Sequence, residues 1–528
     1  MICFEGQYSS FPLGQESIVG SKLLKKIVRA NYRAFFGFNL IFVTFEAKYV
    51  LVMQNVIGRK EEISAFEQLK ESTKPAFVAI YGRRRVGKTY LVKQFFGKSF
   101  SFYMTGVANV ATRQHLSNFH TALVARYPEA ERFQQPKDWF QAFQQLISIL
   151  EMKGESEKTI IFLDELPWLD TPKSGFIPAL EHFWNSWASS RNDVLLVVCG
   201  SAASWMINNL INHRGGLHNR VTHRLILEPF TLAECEQYFK SRGMNYERYQ
   251  ILQIYMVTGG IPFYLEQIDK GLTAIQNIDR LCFTKNGMLR TEFDNLYTSL
   301  FKAADKHALI IETLAKKNKG MSRDELIQKT PFSNGGSLTR ILTELEESGF
   351  IRKYKSFGHT TRNVQYQVSD FYSLFYLKFI KNADLSDQNS WLDRMDNPEV
   401  RAWSGYAFEQ ICRAHLGQIK RALGIGSVQT QSSVWQGNDG LNAAQVDLVI
   451  DRRDQTINLC EMKFSINRFV IDKAYADSLR QKIGVFKSTT ATRKSIFLTF
   501  ITTFGLAQNE YAGSLVQNSL TMDALFDY

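Results

Sequence analysis

Short, uninterrupted apolar runs punctuate the first half of the chain. They are Phe77-Val78-Ala79-Ile80-Tyr81, Thr159-Ile160-Ile161-Phe162-Leu163 and Val194-Leu195-Leu196-Val197-Val198-Cys199. Such runs read as buried strands. Between them, apolar residues recur at helical spacing: Ile63, Phe66 and Leu69; then Leu91, Val92, Phe95 and Phe96; then Phe143, Leu146, Ile147 and Leu150, with Asp138 placed as the cap. Strand and helix alternate, which predicts an α/β core over residues 53–230. Residues 231–295 carry a helical pattern with a turn at Thr258-Gly259-Gly260-Ile261-Pro262, and read as a helical lid.

The first strand runs directly into Gly82-Arg83-Arg84-Arg85-Val86-Gly87-Lys88-Thr89, and a helix follows. Strand, glycine loop and helix are the parts a phosphate-binding loop needs. Backbone N–H groups close on phosphate oxygens, and the helix N-terminus adds a positive field. Lys88 reaches the β- and γ-phosphates of ATP, and the Thr89 hydroxyl reaches Mg²⁺. About 75 residues later the second strand ends in Asp164-Glu165. Acids at the C-terminal edge of such a strand stand where open α/β sheets bind ligands. Asp164 is expected in the Mg²⁺ shell, with Glu165 as general base for the attacking water. Ser201, after the third strand, is either a sensor of the γ-phosphate or a helix cap. Arg220 follows the loop Gly215-Gly216-Leu217-His218-Asn219; it either stabilises the transferring phosphoryl group, in a neighbouring subunit of a homo-oligomer, or is a surface arginine.

Ile57-Gly58-Arg59, the 82–89 loop, Leu163-Asp164-Glu165, Cys199-Gly200-Ser201, Arg220 and Gly259-Gly260-Ile261-Pro262 occur in that order. The set resembles the archaeal-type ATPases of the AAA+ and STAND-like P-loop class over residues 55 to about 295. The resemblance implies a P-loop NTPase core with a helical lid, ATP binding and ATP hydrolysis.

Residues 296–380 read as a winged-helix module. Leu309, Ile310, Ile311 and Leu314 share one helical face, Ser322 and Glu325 form a capping box, and residues 337–349 give a third helix ending in glycine. Residues 350–354 and 364–368 form a hairpin. The third helix carries Glu344, Glu346 and Glu347 against Arg340, whereas Arg352, Lys353, Lys355 and Arg362 place positive charge on the wing. Packing between domains and groove reading on DNA both remain open. The polar stretch 381–399 reads as a linker.

Residues 400–528 show a helix from Gly405, strands at 427–435, 445–451 and 456–463, a helix at 469–486 and a last strand at 495–501. This order resembles the restriction-endonuclease-like fold of the PD-(D/E)xK nucleases, with Asp447, Glu461 and Lys463 in the motif positions and Val446 where the family has proline. Glu461 and Lys463, two apart, share one strand face. Asp447, Glu461 and the Met462 carbonyl offer hard oxygen ligands for Mg²⁺, Lys463 can position water, and Glu409 can add an outer carboxylate. The alternative is a fold retained with its chemistry idle, in a nucleotide-switched scaffold or regulator.

Composition changes this picture little. The formal charge of +12 on 528 residues favours an anionic partner, DNA or RNA. Six scattered cysteines with no C-x-x-C pair point to buried thiols in a reducing cytoplasm. His182, His213, His218, His223 and His415 show no metal-ligand spacing and read as packing or surface residues. Residues 1–52 are an N-terminal extension whose apolar stretch is too interrupted for the ~20 residues of a membrane span. The expectation is translation from Met53, with a weak membrane-surface anchor as the alternative.

Overall fold

The computed structural model describes residues 56–152, 154, 157–212, 219–358, 364–383, 391–394, 397–440 and 442–527. The extension 1–52, the loop 213–218, Arg362 and residues 384–390 of the polar stretch 381–399 therefore lie outside the described residues.

Five parallel strands form the first sheet: β1 (Ala76–Gly82), β2 (Phe100–Thr105), β3 (Thr159–Asp164), β4 (Val194–Gly200) and β5 (His223–Leu227), in the order β2-β3-β4-β1-β5. Every residue of β1, β3 and β4 is buried, as expected of central strands covered on both faces. The two edge strands are less apolar and partly exposed. One face carries an aromatic core in which Phe119, Trp139, Phe143, Phe176 and Phe183 form a chain of ring contacts, each within 6.2 Å of at least one other. Asp138 caps the Trp139–Glu151 helix as predicted, accepting from the Gln141 amide. Gly82 is required where β1 meets β5: at its φ of 138° a Cβ would lie 2.4 Å from the Leu227 carbonyl.

Helices Leu232–Ser241, Arg248–Thr258, Ala274–Cys282 and Glu292–Leu300 follow. They are seated on the core by Gly260, whose carbonyl accepts from Phe230 N at 2.9 Å and where a Cβ would lie 2.1 Å from the Phe230 carbonyl. Next come helices Ala304–Ala315, Arg323–Lys329 and Gly336–Glu347 and a small antiparallel sheet of β6 (Met321–Ser322), β7 (Ile351–Lys355) and β8 (Val364–Val368), in the order β6-β8-β7. The Ser322–Glu325 capping box is present. The Gly336–Glu347 helix packs on Ala203–Trp205 of the first sheet's layer. Arg352 corrects the sequence reading. It is not an exposed wing cation: it packs against the C-terminal helix and donates to Gln410. Lys353 is paired with Glu346.

The linker expectation is also corrected. Trp391, in the short Trp391–Arg394 helix, is buried, stacked on Phe283 at 5.6 Å and edge-on to Phe375 at 4.9 Å. Pro398 does not end a linker but occupies the first turn of a helix, Pro398–Ala414, that starts seven residues before Gly405 and is capped by Asn397. Beyond it, β9 (Thr430–Asn438), β10 (Ala443–Arg452), β11 (Thr456–Lys463), β12 (Ser495–Thr502) and β13 (Asn518–Thr521) form a mixed sheet, order β13-β12-β11-β10-β9. β9, β10 and β11 pair antiparallel; β12 and β13 join parallel. β12 is thus not the last strand. The helix against the sheet is Lys473–Thr490, displaced from the expected 469–486.

Among the described residues no helix is long and apolar enough to cross a membrane. Cys199, Cys235, Cys282, Cys412 and Cys460 are buried free thiols.

His415 joins the C-terminal part to the lid. Its Nε2 accepts from Leu232 N at 3.0 Å, satisfying a helix N-terminus, while Nδ1 donates to the Ile411 carbonyl. Burial lowers its pKa from 6.5 to about 4. The unfolded chain takes up a proton between these values and the folded chain does not. The contribution is therefore full above about pH 6.5 and fades toward pH 4, by up to about 3 kcal/mol. His415→Leu is expected to lower thermal stability at pH 7.5 and to flatten its loss between pH 7 and 5, as followed by melting curves of both proteins.

Candidate functional site

The parallel order brings the ends of β1, β4 and β3 side by side, so the 82–89 loop, Cys199–Ser201 and Asp164–Glu165 meet at one edge. Lys88, buried, donates from Nζ to the carbonyls of Gly82 at 3.0 Å and Arg83 at 2.7 Å. The ammonium is thereby held along the loop, and burial lowers its pKa. The Thr89 hydroxyl lies 3.0 and 2.9 Å from the two carboxylate oxygens of Asp164. Cys199 Sγ donates to the same carboxylate at 2.9 Å. Burial raises the Asp164 pKa, against the lowering effect of the Cys199 and Thr89 hydrogen bonds.

Glu165 stands just beyond the strand with φ 48° and ψ 48°, a left-handed conformation uncommon for a glutamate. Ser201 holds its carboxylate twice, from Oγ at 2.7 Å and from N at 3.3 Å. The cap alternative for Ser201 is therefore overturned, since its side chain grips Glu165 and the following short helix has no side-chain cap. Arg220 is exposed beyond the undescribed loop.

The arginines of the loop divide. Arg83 points away from the nucleotide edge to Asp370, 2.5 Å away, with both side chains buried, and stacks over Phe350 at 4.9 Å. Burial opposes its charge, but Asp370, with smaller contributions from Tyr264 and Tyr297, raises its pKa on balance. Asp370 also accepts from the amides of Tyr372 and Ser373. Arg85, at φ 69°, pairs with buried Glu292 and lies over Phe263 at 4.3 Å. Two side chains of the loop thus serve the lid and the hairpin module, while Lys88 and Thr89 stay on the loop carbonyls and Asp164. Sequence reasoning missed these partners; it placed Arg59 in the Ile57-Gly58-Arg59 motif without a role, and the Arg59 Nη2 donates to the Val86 carbonyl of the loop at 3.1 Å.

A second site lies in a cleft of about 710 Å³ between the hairpin module and the C-terminal sheet. Glu409, Asp447, Glu461 and Lys463 all line it, so the sequence-predicted residues are brought together. Asp447 sits in an irregularity of β10, between Val446 and Val449, with Oδ1 accepting from Gln445 at 2.6 Å. Glu461, buried, accepts from Tyr475 OH at 3.0 Å, pairs with Lys482 and lies 3.5 Å from Lys463. Burial first, then Asp447, raises the Glu409 pKa from 4.5 to about 7. Lys482, on the Lys473–Thr490 helix, was not foreseen; it falls at a helical position with no motif to mark it. Among the described residues no group of three or more His, Cys, Asp or Glu side chains is assembled for a metal ion.

Residues 57–268 match the family described as an ATPase domain predominantly from Archaea. The chain carries an archaeal-type ATPase domain. An uncharacterised protein of Methanocaldococcus jannaschii is 22% identical over 368 residues, 69% of this chain and 78% of its own. An uncharacterised ATP-binding protein of the same organism is 45% identical over 47 residues, 9% of this chain and 76% of its own. Among solved structures, a Walker-type ATPase of Pyrococcus abyssi aligns with a TM-score of 0.46 at 16% identity, over 62% of this chain and 97% of that one. The ORC2 protein of Aeropyrum pernix, in ADPNP and ADP complexes, aligns with a TM-score of 0.36 at 16% identity, over 61% and 94%.

Removing one partner of a buried ion pair leaves an uncompensated charge and costs about 3–5 kcal/mol. Arg83→Ala should lose stability of that order in urea unfolding. Arg85→Ala, whose guanidinium is partly exposed, should lose clearly less. Equal losses would refute this division.

Proposed function

We propose that this ATPase couples a nucleotide switch to a nuclease-like site acting on DNA or RNA. The observation that carries the reading is the buried Arg83–Asp370 pair. It ties the phosphate loop to the end of the hairpin module, whose other side walls the cleft of Glu409, Asp447, Glu461 and Lys463. Module and cleft read best as a winged helix and a restriction-endonuclease-like domain, the former packing between domains. Cytoplasmic residence suits the buried thiols.

At the nucleotide edge, the loop backbone and Lys88 bind the phosphates of ATP. Thr89 and Asp164, already in contact, supply a hydroxyl and a carboxylate of the kind Mg²⁺ takes, and would hold it. Glu165 takes the proton of the attacking water, and Ser201 aims it. Arg220 serves the site of a neighbouring subunit in a homo-oligomer. In the cleft the donors suit Mg²⁺ in kind, since Asp447, Glu461 and Glu409 offer carboxylate oxygens, although among the described residues no three such side chains are drawn together as a ready ligand group; burial first, and Asp447 second, raises the Glu409 pKa. Asp447 and Glu461 would hold the ion, with Glu409 behind them. A bound Mg²⁺ would lower the pKa of a water and offset charge on the phosphodiester. Lys463 positions the scissile phosphate.

One observation favours a scaffold with an idle cleft: both Glu461 oxygens are engaged, by Tyr475 and Lys482. Degradation of plasmid or RNA by the purified chain with Mg²⁺ or Mn²⁺ separates the two readings.

Lys88→Ala should abolish tight ATP binding, and Glu165→Gln should keep binding and lose hydrolysis, read by nucleotide titration and phosphate release. Equal turnover in wild type and Glu165→Gln removes the general-base role. In the same assay, mixed Arg220→Ala and Lys88→Ala subunits should regain part of the lost turnover. Asp447→Ala and Lys463→Ala should each abolish nuclease activity while ATP turnover survives. Undiminished cleavage by either variant would place the chemistry elsewhere.

A further inference from the structure

The cleft has a size and a wall that bear on which nucleic acid it admits. Its floor carries the carboxylates with Lys463 and Lys482; its opposite wall, from the hairpin module, presents Lys319, Tyr354 and Gln365. The wall is fastened to the floor domain. Ser356 bridges Val434, Phe357 N donates to the Val434 carbonyl at 2.7 Å, and the Phe357 ring packs on Phe486 at 5.2 Å. At about 710 Å³ the space falls in the range of roughly 300–1,000 Å³ that encloses one small ligand. One or two nucleotides fit such a volume. A duplex, whose major groove alone is about 12 Å wide, is too bulky to be enclosed by such a volume. Cations on both walls suit a backbone threaded between them, as in grooves that track single strands.

We propose that the cleft takes a single-stranded polynucleotide (a free strand, an overhang or a flap) and excludes blunt duplex while the hairpin wall is fastened. The proposal rests on the nuclease-like reading of the same site and adds its substrate class.

The test is binding by the full-length protein in EDTA, by fluorescence anisotropy, followed by cleavage with Mn²⁺. The probes are a short single-stranded DNA, the same sequence as RNA, its blunt duplex, and a duplex with an overhang. Single strands of at least one sugar type, and the overhang, should bind about tenfold or more tighter than the blunt duplex, a gap of about 1.4 kcal/mol. Lys482→Ala and Lys319→Ala should each weaken single-strand binding several-fold. Phe357→Ala, which loosens the wall, should narrow the gap by admitting duplex. Blunt duplex bound as tightly as single strand, or an unchanged gap in Phe357→Ala, overturns the proposal. Equal cleavage of both forms also overturns it, yet leaves the nuclease reading intact. Preferred single-strand binding without any cleavage supports the proposal and ends the nuclease reading.

Discussion

A guanidinium taken out of water must find its counter-charge, and Arg83 finds it in Asp370. That constraint joins parts of the chain far apart in sequence. Asp370 begins the Phe371–Phe375 helix, so the residue that neutralises the phosphate loop also caps the helix leaving the hairpin module. Tyr297 closes the arrangement through Ser373 at 3.0 Å. The lid's Glu292 takes Arg85 in parallel. The 82–89 loop is thus mechanically continuous with both layers beside it. A bistable element here would need only to exchange partners, because a buried pair is either made or broken.

The nucleotide edge was largely legible in the sequence. Its signals are local: Gly82, Gly87, Lys88 and Thr89 fall within eight positions, and Asp164-Glu165 closes an apolar run. Near-continuous apolar strands such as β3 and β4 are also the easiest to read. The partners of Arg83 and Arg85 were not legible, since the motif leaves those positions unconstrained and Asp370 lies in another layer. Ser201 was readable as polar and near the site, but only the fold shows that it grips Glu165.

The C-terminal region was legible in outline and misread at its margins. Pro398 breaks a helix interior but suits a first turn, and the polar neighbours hid the second role. Trp391 was the discordant residue in the presumed linker, a large ring that pays for its own burial among Phe283, Phe375 and Phe379. β13, four residues of Asn518–Thr521, is too short and polar to stand out. Arg352 looked exposed because charge usually is; strand alternation instead turns it toward Gln410.

The bridge from Ser356 to Val434 also shields a sheet edge. β9 is an outer strand of the mixed sheet, and outer strands carry unpaired N–H and C=O groups that invite other chains. The hairpin module covers part of that rim. A C-terminal part cut free before the Pro398–Ala414 helix would bare the rim, and with it a template for edge-to-edge association, so its solubility depends on a neighbour that belongs to a different fold.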